Sequence, residues 1–244
     1  MTHEWQPTMR TQPSIQPITY AFPLIDADVH FADRMTAGRQ LAQLLLRDRD
    51  SRALVLALPP GGVVVAGEIA RALRLSLDVL VAREIVIRPY PALVAGGLSE
   101  GGGLCLNRAI FRLPGASLNA FWREARRSAR EIAALVALYR QGRALPSLQR
   151  RSVILVDDGL GDGLVQLAAL AALRRMHAAR CVVATPLATP AAIQRVARRA
   201  DLVVALDGGE GDQRDSGGHW HQPLDDEVAA ALVESYRQQS RDAS

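Results

Sequence analysis

Lysine is absent from this chain: every one of the 29 basic side chains in its 244 residues is an arginine. Arginine stays charged at all ordinary pH values and binds oxyanions in a two-pronged fork. Its short runs, Arg126-Arg127, Arg150-Arg151 and Arg198-Arg199, fall on predicted helices and a helix–strand junction. They read as solvated faces, so no nucleic-acid partner is expected. Aromatic residues make up only 5% of the chain, which leaves a core built of Ala, Leu and Val. Cysteine is scarce too. Cys105 and Cys181 lie far apart without metal-ligand spacing, which fits a reduced, cytoplasmic protein without a structural metal. No apolar run reaches membrane-spanning length, and the first residues lack the charged-then-apolar order of a signal peptide, so no membrane partner is expected.

What the chain has is a hydrophobic fraction of 49%, a net charge of +4 and a pI near 9.7. Its length suits one α/β domain with extensions. Residues 1–24, rich in Gln, Thr and Pro, read as a flexible arm. Residues 25–224 form the domain, and 225–244 a terminal helix and tail. An amphipathic helix is expected from Phe31 to about Leu46, with Asp33 as its cap. Apolar runs near residues 53, 78, 153, 180 and 202, separated by helical patterns, predict a three-layer α/β fold around a mostly parallel sheet. Pro89, Pro91, Gly96, Gly97 and Gly101-Gly102-Gly103 interrupt the pattern between Arg83 and Pro114. Short strands with a mobile loop are expected there. A long helix follows from about Ser117 to Gln141, with Ala125, Ile132, Leu135, Val136 and Leu138 facing inward.

The most informative stretch is SVILVDDGLGDGLV, from Ser152 to Val165. Four apolar residues, Val153 to Val156, end in Asp157 and Asp158. Gly159, Leu160, Gly161, Asp162 and Gly163 follow, and a helical pattern starts at Leu164. The carboxylates and glycines therefore sit where a strand's carboxyl end meets a helix's amino end, the place where open parallel sheets bind ligands and where backbone N–H groups attract phosphate. The simpler alternative is one helix cap and one tight turn, but a cap needs a single acidic residue and a turn a single glycine. A second break, Pro59-Pro60-Gly61-Gly62, follows the first strand. His219 and His221 flank Trp220 without a third metal ligand, and read as a surface loop. His30 and His177 look like boundary residues. Ser99 and Ser216 lack a His–Asp context for hydrolysis.

With these motifs placed, the chain resembles a type I phosphoribosyltransferase, from about Phe31 to Leu206. The resemblance rests on the acidic pair with its glycine loop, on Leu58-Pro59-Pro60-Gly61-Gly62-Val63, on Val81-Ala82-Arg83-Glu84 and on the Arg-rich helix ending near Gly142. It implies phosphoribosyl pyrophosphate, or a less anionic relative, as the small-molecule substrate, Mg²⁺ as cofactor, and transfer of the phosphoribosyl group to a nitrogenous acceptor with release of pyrophosphate. Asp157 and Asp158 would hold the ribose hydroxyls as catalytic residues. Gly159 to Gly163 would cradle the 5′-phosphate. Pro59 to Gly62, with Arg83 and Glu84, would line the pyrophosphate side. It also implies a flexible loop, a small hood from the chain ends, and allows a homodimer.

Four positions depart from the family pattern. Thr is replaced by Asp162 and Val165, Arg by Pro60, and Lys by Glu84. One like-charge pair at about 4 Å repels by roughly 4 kcal/mol at an effective dielectric near 20, so Asp162 opposes a phosphate in the loop. A catalytically silent ligand-binding or interaction protein is the alternative function. Asp157 to Gly163 also reads D-x-G-x-G-x-G, the loop of S-adenosylmethionine-dependent methyltransferases. No acidic residue closes the strand at Ala184, however, where the ribose partner would stand. A phospho-receiver domain shares the acidic pair but requires a lysine, and is excluded.

Overall fold

A computed structural model of the chain describes residues 20–21, 33–49, 51–207, 220 and 223–242. In chain order these run β1 (Tyr20–Ala21), α1 (Arg34–Leu44), β2 (Leu54–Ala57), α2 (Gly61–Leu73), β3 (Ser76–Val79), β4 (Ala82–Ile87), β5 (Tyr90–Ser99), β6 (Gly103–Leu106), α3 (Leu118–Arg140), β7 (Ser152–Val156), α4 (Leu164–Arg175), β8 (Arg180–Leu187), α5 (Pro190–Ala197), β9 (Leu202–Asp207) and α6 (Asp225–Asp242).

The main sheet is parallel throughout, in the order β1-β9-β8-β7-β2-β3. Alternation along its strands divides the interior into two apolar layers. Val55, Ala57, Ile154, Val156, Val182 and Ala184 point to one side, against α1, α2 and α6. Leu54, Leu56, Val153, Leu155, Cys181 and Val183 point to the other, against α4 and α5. Strands covered on both faces must be apolar at every position, which is why LVLA and VILV read as unbroken hydrophobic runs. The expected three-layer α/β fold is what the chain adopts.

Local signals set several helix ends as expected. Asp33 accepts the N–H of Thr36 at 2.7 Å and caps α1. Ser117 caps α3, and Thr189 caps α5 with Pro190 in its first turn. Helix α3 ends where Gln141 and Gly142 take left-handed backbone angles.

Two expectations need correction, while the short strands expected between Arg83 and Pro114 are present. They form a three-stranded antiparallel sheet, β4-β5-β6. Its glycines serve close packing. A Cβ on Gly97 would stand 2.4 Å from the Leu164 carbonyl, and one on Gly103 would stand 2.0 Å from that of Ala168. The sheet thus rests directly on the backbone of α4, an approach only glycine allows. Residues 20–21, assigned to the arm, pair with Val203 and Val204 of β9. Leu138, expected to face inward, is exposed, because inward positions of α3 are taken by Ile132, Tyr139 and Arg140. The rest of the arm, His30, His219, His221, Ser216 and the glycine-rich 208–218 lie outside the described residues, and so does most of the expected hood.

Candidate active site

The order of the sheet fixes where a ligand can bind. From β2 the chain moves outward to β3, returns to place β7 on the other side of β2, and then continues outward through β8 and β9. The direction reverses between β2 and β7, and at such a switch point the two loops leaving the carboxyl ends diverge and open a crevice. The loop after β2 is Pro59 to Gly62. The loop after β7 is Asp157 to Gly163. The two stretches that stood out in the sequence are neighbours across this point, joined where the N–H of Leu58 donates to the Val156 carbonyl at 2.8 Å.

The glycines of the first loop exist because of the carboxylates of the second. A Cβ on Gly61 would lie 1.9 Å from Oδ2 of Asp158, and one on Gly62 would lie 2.8 Å from the Val156 carbonyl and 3.1 Å from Cα of Asp157. Helix α2 therefore starts with its amino end packed against the acidic pair.

Within the pair the surroundings differ. Asp157 takes the N–H of Asp158 on Oδ1 at 2.8 Å, and Nε2 of Gln166 on Oδ2. Gln166 is buried on α4. Loss of solvent around its carboxyl, reinforced by the charge of Asp158, pushes Asp157 well above the usual carboxylate range. Asp158 instead forms an ion pair with Arg34 at the start of α1. Nε at 2.9 Å and Nη2 at 2.7 Å both donate to Oδ2. The guanidinium of Arg34 lies against the ring of Trp220, 5.1 Å from its centroid.

The glycine loop closes on itself. Oδ1 of Asp162 accepts the N–H of Leu164 at 2.9 Å, so a carboxylate already engages the amino end of α4. Gly163 carries the left-handed backbone angle at this helix start, and Arg195 on α5 donates to the Asp162 carbonyl. Leu160 departs from its assigned role. Its side chain is buried in the second apolar layer and its N–H donates to the Leu187 carbonyl, so that N–H is not available to a phosphate.

Arg83 and Glu84 are also displaced. They lie within β4, opposite Leu98 and Gly97, and do not close the parallel strand β3. Successive residues of a strand point to opposite faces. The charge of Arg83 is accordingly felt at Tyr139 of α3, while Glu84 lies on the α4 side, within reach of Asp162. Loss of solvent around its carboxyl, and then the charge of Asp162, push Glu84 above the usual glutamate range. Pro59 and Pro60 remain half-buried at the loop after β2, and the guanidinium of Arg34 stands beside Gly61 in the same loop.

Two residues escaped sequence reasoning. Gln166 was legible as a lone amide on an otherwise apolar helix face. Arg34 left no local signal, since it reaches Asp158 from 124 positions away.

No protein-family model matches the chain. Proteins from two strains of Mycobacterium tuberculosis, whose names place them provisionally among the phosphoribosyl transferases, are each 36% identical over 216 residues. These matches cover 85% of the present chain, which spans about half (47%) of each relative's length. The crystal structure of the protein TT1426 from Thermus thermophilus superposes with a TM-score of 0.69 at 34% identity, covering 84% of this chain and 99% of that one.

Proposed function

The chain belongs to the phosphoribosyl transferase family, and from that premise we propose that the crevice between β2 and β7 binds the ribose of phosphoribosyl pyrophosphate, or of a less anionic relative, and passes the ribosyl group to a nitrogenous acceptor. One observation carries this reading: both glycine-bearing loops at the switch point are shaped around Asp157 and Asp158. Carboxylates accept charge-assisted hydrogen bonds from vicinal hydroxyls. A fixed negative charge beside the sugar also stabilises the positive charge that develops there as pyrophosphate leaves. The methyltransferase alternative loses its support, because the glycine loop follows a central strand reached late in the chain.

The residues present do not form a protein cage for Mg²⁺. No group of three or more His, Cys, Asp or Glu suited to a metal exists among the described residues, and Asp158 is already engaged by Arg34. Mg²⁺ is commonly held by substrate phosphates with one or two carboxylates, and here it would arrive with the pyrophosphate it neutralises. No helix among the described residues is long and apolar enough to cross a membrane, and the substrate side of the reading is a small molecule. A homodimer remains part of the proposal.

A second reading, ligand binding without transfer, rests on Asp162. Its carboxylate engages the helix amino end that a 5′-phosphate would need, and Glu84 adds a second acidic group nearby. Calorimetric titration with phosphoribosyl pyrophosphate and Mg²⁺, followed by assay of pyrophosphate release with a panel of nitrogenous bases, separates the two. Release that disappears in the Asp157→Asn/Asp158→Asn double variant supports transfer. Binding without release supports the silent reading. Absence of binding to any ribosyl compound removes both.

A further inference from the structure

We propose that the face formed by α2 and α6 docks a second copy of this chain, with Leu224 of each copy entering the other's groove above Gly67. This surface lies behind the candidate active site, and its use does not depend on the ribosyl reading.

The two helices flank β3, an edge strand of the parallel sheet, and leave a groove of about 1370 Å³ between them. Val63, Val64, Leu75, Leu77 and Val228 make its surface largely apolar. Small-molecule sites measure roughly 300–1,000 Å³ and bring a few polar groups to one point. Here the charged groups are instead divided between two walls. Arg71 and Arg74 are exposed on the α2 wall, and Glu227 and Glu234 are exposed on the α6 wall. Glu68 on α2 is buried and already engaged by Arg39 at 3.1 Å and Arg71 at 2.8 Å, so the α2 wall stays basic. Glu234 meets Arg237 at 3.6 Å, but that pair is exposed and weak. Asp225, Asp226 and Glu227 in its first turn keep α6 acidic at that end. The edge of β3 itself is closed to a further strand at Val79. Its N–H donates to Asp78 at 2.7 Å and its carbonyl accepts from Arg140, so an occupant must dock through side chains.

Walls of opposite sign make this face complementary to itself, in one arrangement only. A closed dimer repeats every contact about a two-fold axis, so that residue i meets j and j meets i. An axis that set α2 on α2 would oppose like charges on both walls. An axis that exchanges the walls sets the arginines of each copy against the glutamates of the other. The same exchange fills the groove. Leu224 follows Pro223 on the α6 wall and is 62% exposed, the highest value for a large apolar side chain among the described residues. Gly67 lies on the α2 wall, where a Cβ would meet nothing within 4 Å. Glycine inside a helix is destabilising relative to alanine, and no neighbour among the described residues requires this one. Exchange of the walls brings the exposed leucine to the open glycine. Val63 and Met35 line the same groove, next in sequence to Gly62 and Arg34. A docked copy would therefore rest on the helix whose amino end is packed against the acidic pair.

Sedimentation of the full chain should show a dimer whose dissociation constant rises with salt, because exposed charges are screened. Leu224→Asp and Gly67→Phe should each raise that constant about tenfold or more, with circular dichroism showing both variants folded. Exchanging the charges adds a result that a damaged fold cannot imitate. Glu68→Gln/Arg71→Glu/Arg74→Glu makes both walls acidic, and the glutamine removes the buried acid that Arg71 held. Glu227→Arg/Glu234→Arg makes both walls basic. Each variant alone should sediment as a monomer. Mixed in equal amounts, the two should form a one-to-one heterodimer, since each wall then meets its opposite. A monomeric wild type at every concentration overturns the proposal. So does a dimer that Leu224→Asp leaves intact, or a mixture of folded charge variants that stays monomeric. Should a charge variant fail to fold, Leu224→Asp decides alone. None of these outcomes bears on the ribosyl reading, which ligand titration tests separately.

Discussion

Gly61 and Asp158 stand so close that a Cβ on the glycine would lie 1.9 Å from Oδ2 of the carboxylate and 2.9 Å from Nε of Arg34. The first turn of α2 and the acidic loop after β7 therefore form one unit, although 97 positions separate these two residues (158 − 61). A ligand that touches one loop is within reach of the other.

This contact predicts opposite effects for two alanines on the same helix. Gly61→Ala must displace Asp158 or Arg34 and should weaken ribosyl ligands tenfold or more. Gly67→Ala meets nothing within 4 Å of the new methyl and should stabilise the protein by about 0.5–1 kcal/mol, the usual gain from replacing glycine in a helix interior. Thermal melts and ligand titrations of both variants check the pair. An unchanged affinity in Gly61→Ala would show that the acidic pair does not face the ligand.

Asp162 is the next position to change. Threonine at 162 keeps a capping oxygen for α4 and removes the anion. Asp162→Thr should bind phosphoribosyl pyrophosphate more tightly than wild type, and Asp162→Thr/Val165→Thr more tightly still. A gain of tenfold to a hundredfold, about 1.4–2.7 kcal/mol, is expected for the double variant at equal ionic strength. If calorimetry finds wild type already tight, the loop tolerates its own anion; if the double variant gains nothing, the phosphate site is lost for other reasons.

Glu84 should make stability pH-dependent, with a definite sign. A carboxyl raised in the folded state binds its proton more tightly there than in the unfolded chain. Its contribution is complete below the ordinary glutamate range and is lost as pH rises through the elevated folded value. Glu84→Gln removes that loss. The variant should melt with wild type in acid and above it near neutrality, and the difference should shrink in an Asp162→Asn background. Parallel melting curves across the range would exclude the coupling.

Arg140 ties the end of α3 to β3 and to Glu100. It is buried at the end of α3, where Nε meets Asp78 at 3.1 Å and Nη1 meets Glu100 at 2.7 Å. Tyr236 of α6 adds its hydroxyl to Asp78 at 2.8 Å. Arg140→Met would leave two largely buried carboxylates without their cation and should destabilise by about 3–5 kcal/mol in urea unfolding. A change below about 1 kcal/mol would mean that water reaches both acids.

What the sequence alone determined was local. A strand buried on both faces must be apolar throughout, a helix end needs a cap, and a tight turn needs glycine. So Val153 to Val156, the cap at Asp33, and the glycine turns at 61–62 and 159–163 were all legible within a few residues of themselves. The parallel sheet followed from their spacing. Gly97 and Gly103 were visible too, but local patterning cannot distinguish a glycine that loosens a loop from one that admits the backbone of α4. The direction of Arg83 and Glu84 also needed the observation that the chain leaves the parallel sheet after Val79 and starts a new strand. Only the tertiary structure could bring Arg34 to Asp158 or Trp220 to Arg34, because such contacts depend on where the chain returns to after more than a hundred residues. The acidic pair was thus written in the sequence, and the difference between its two members was decided by packing.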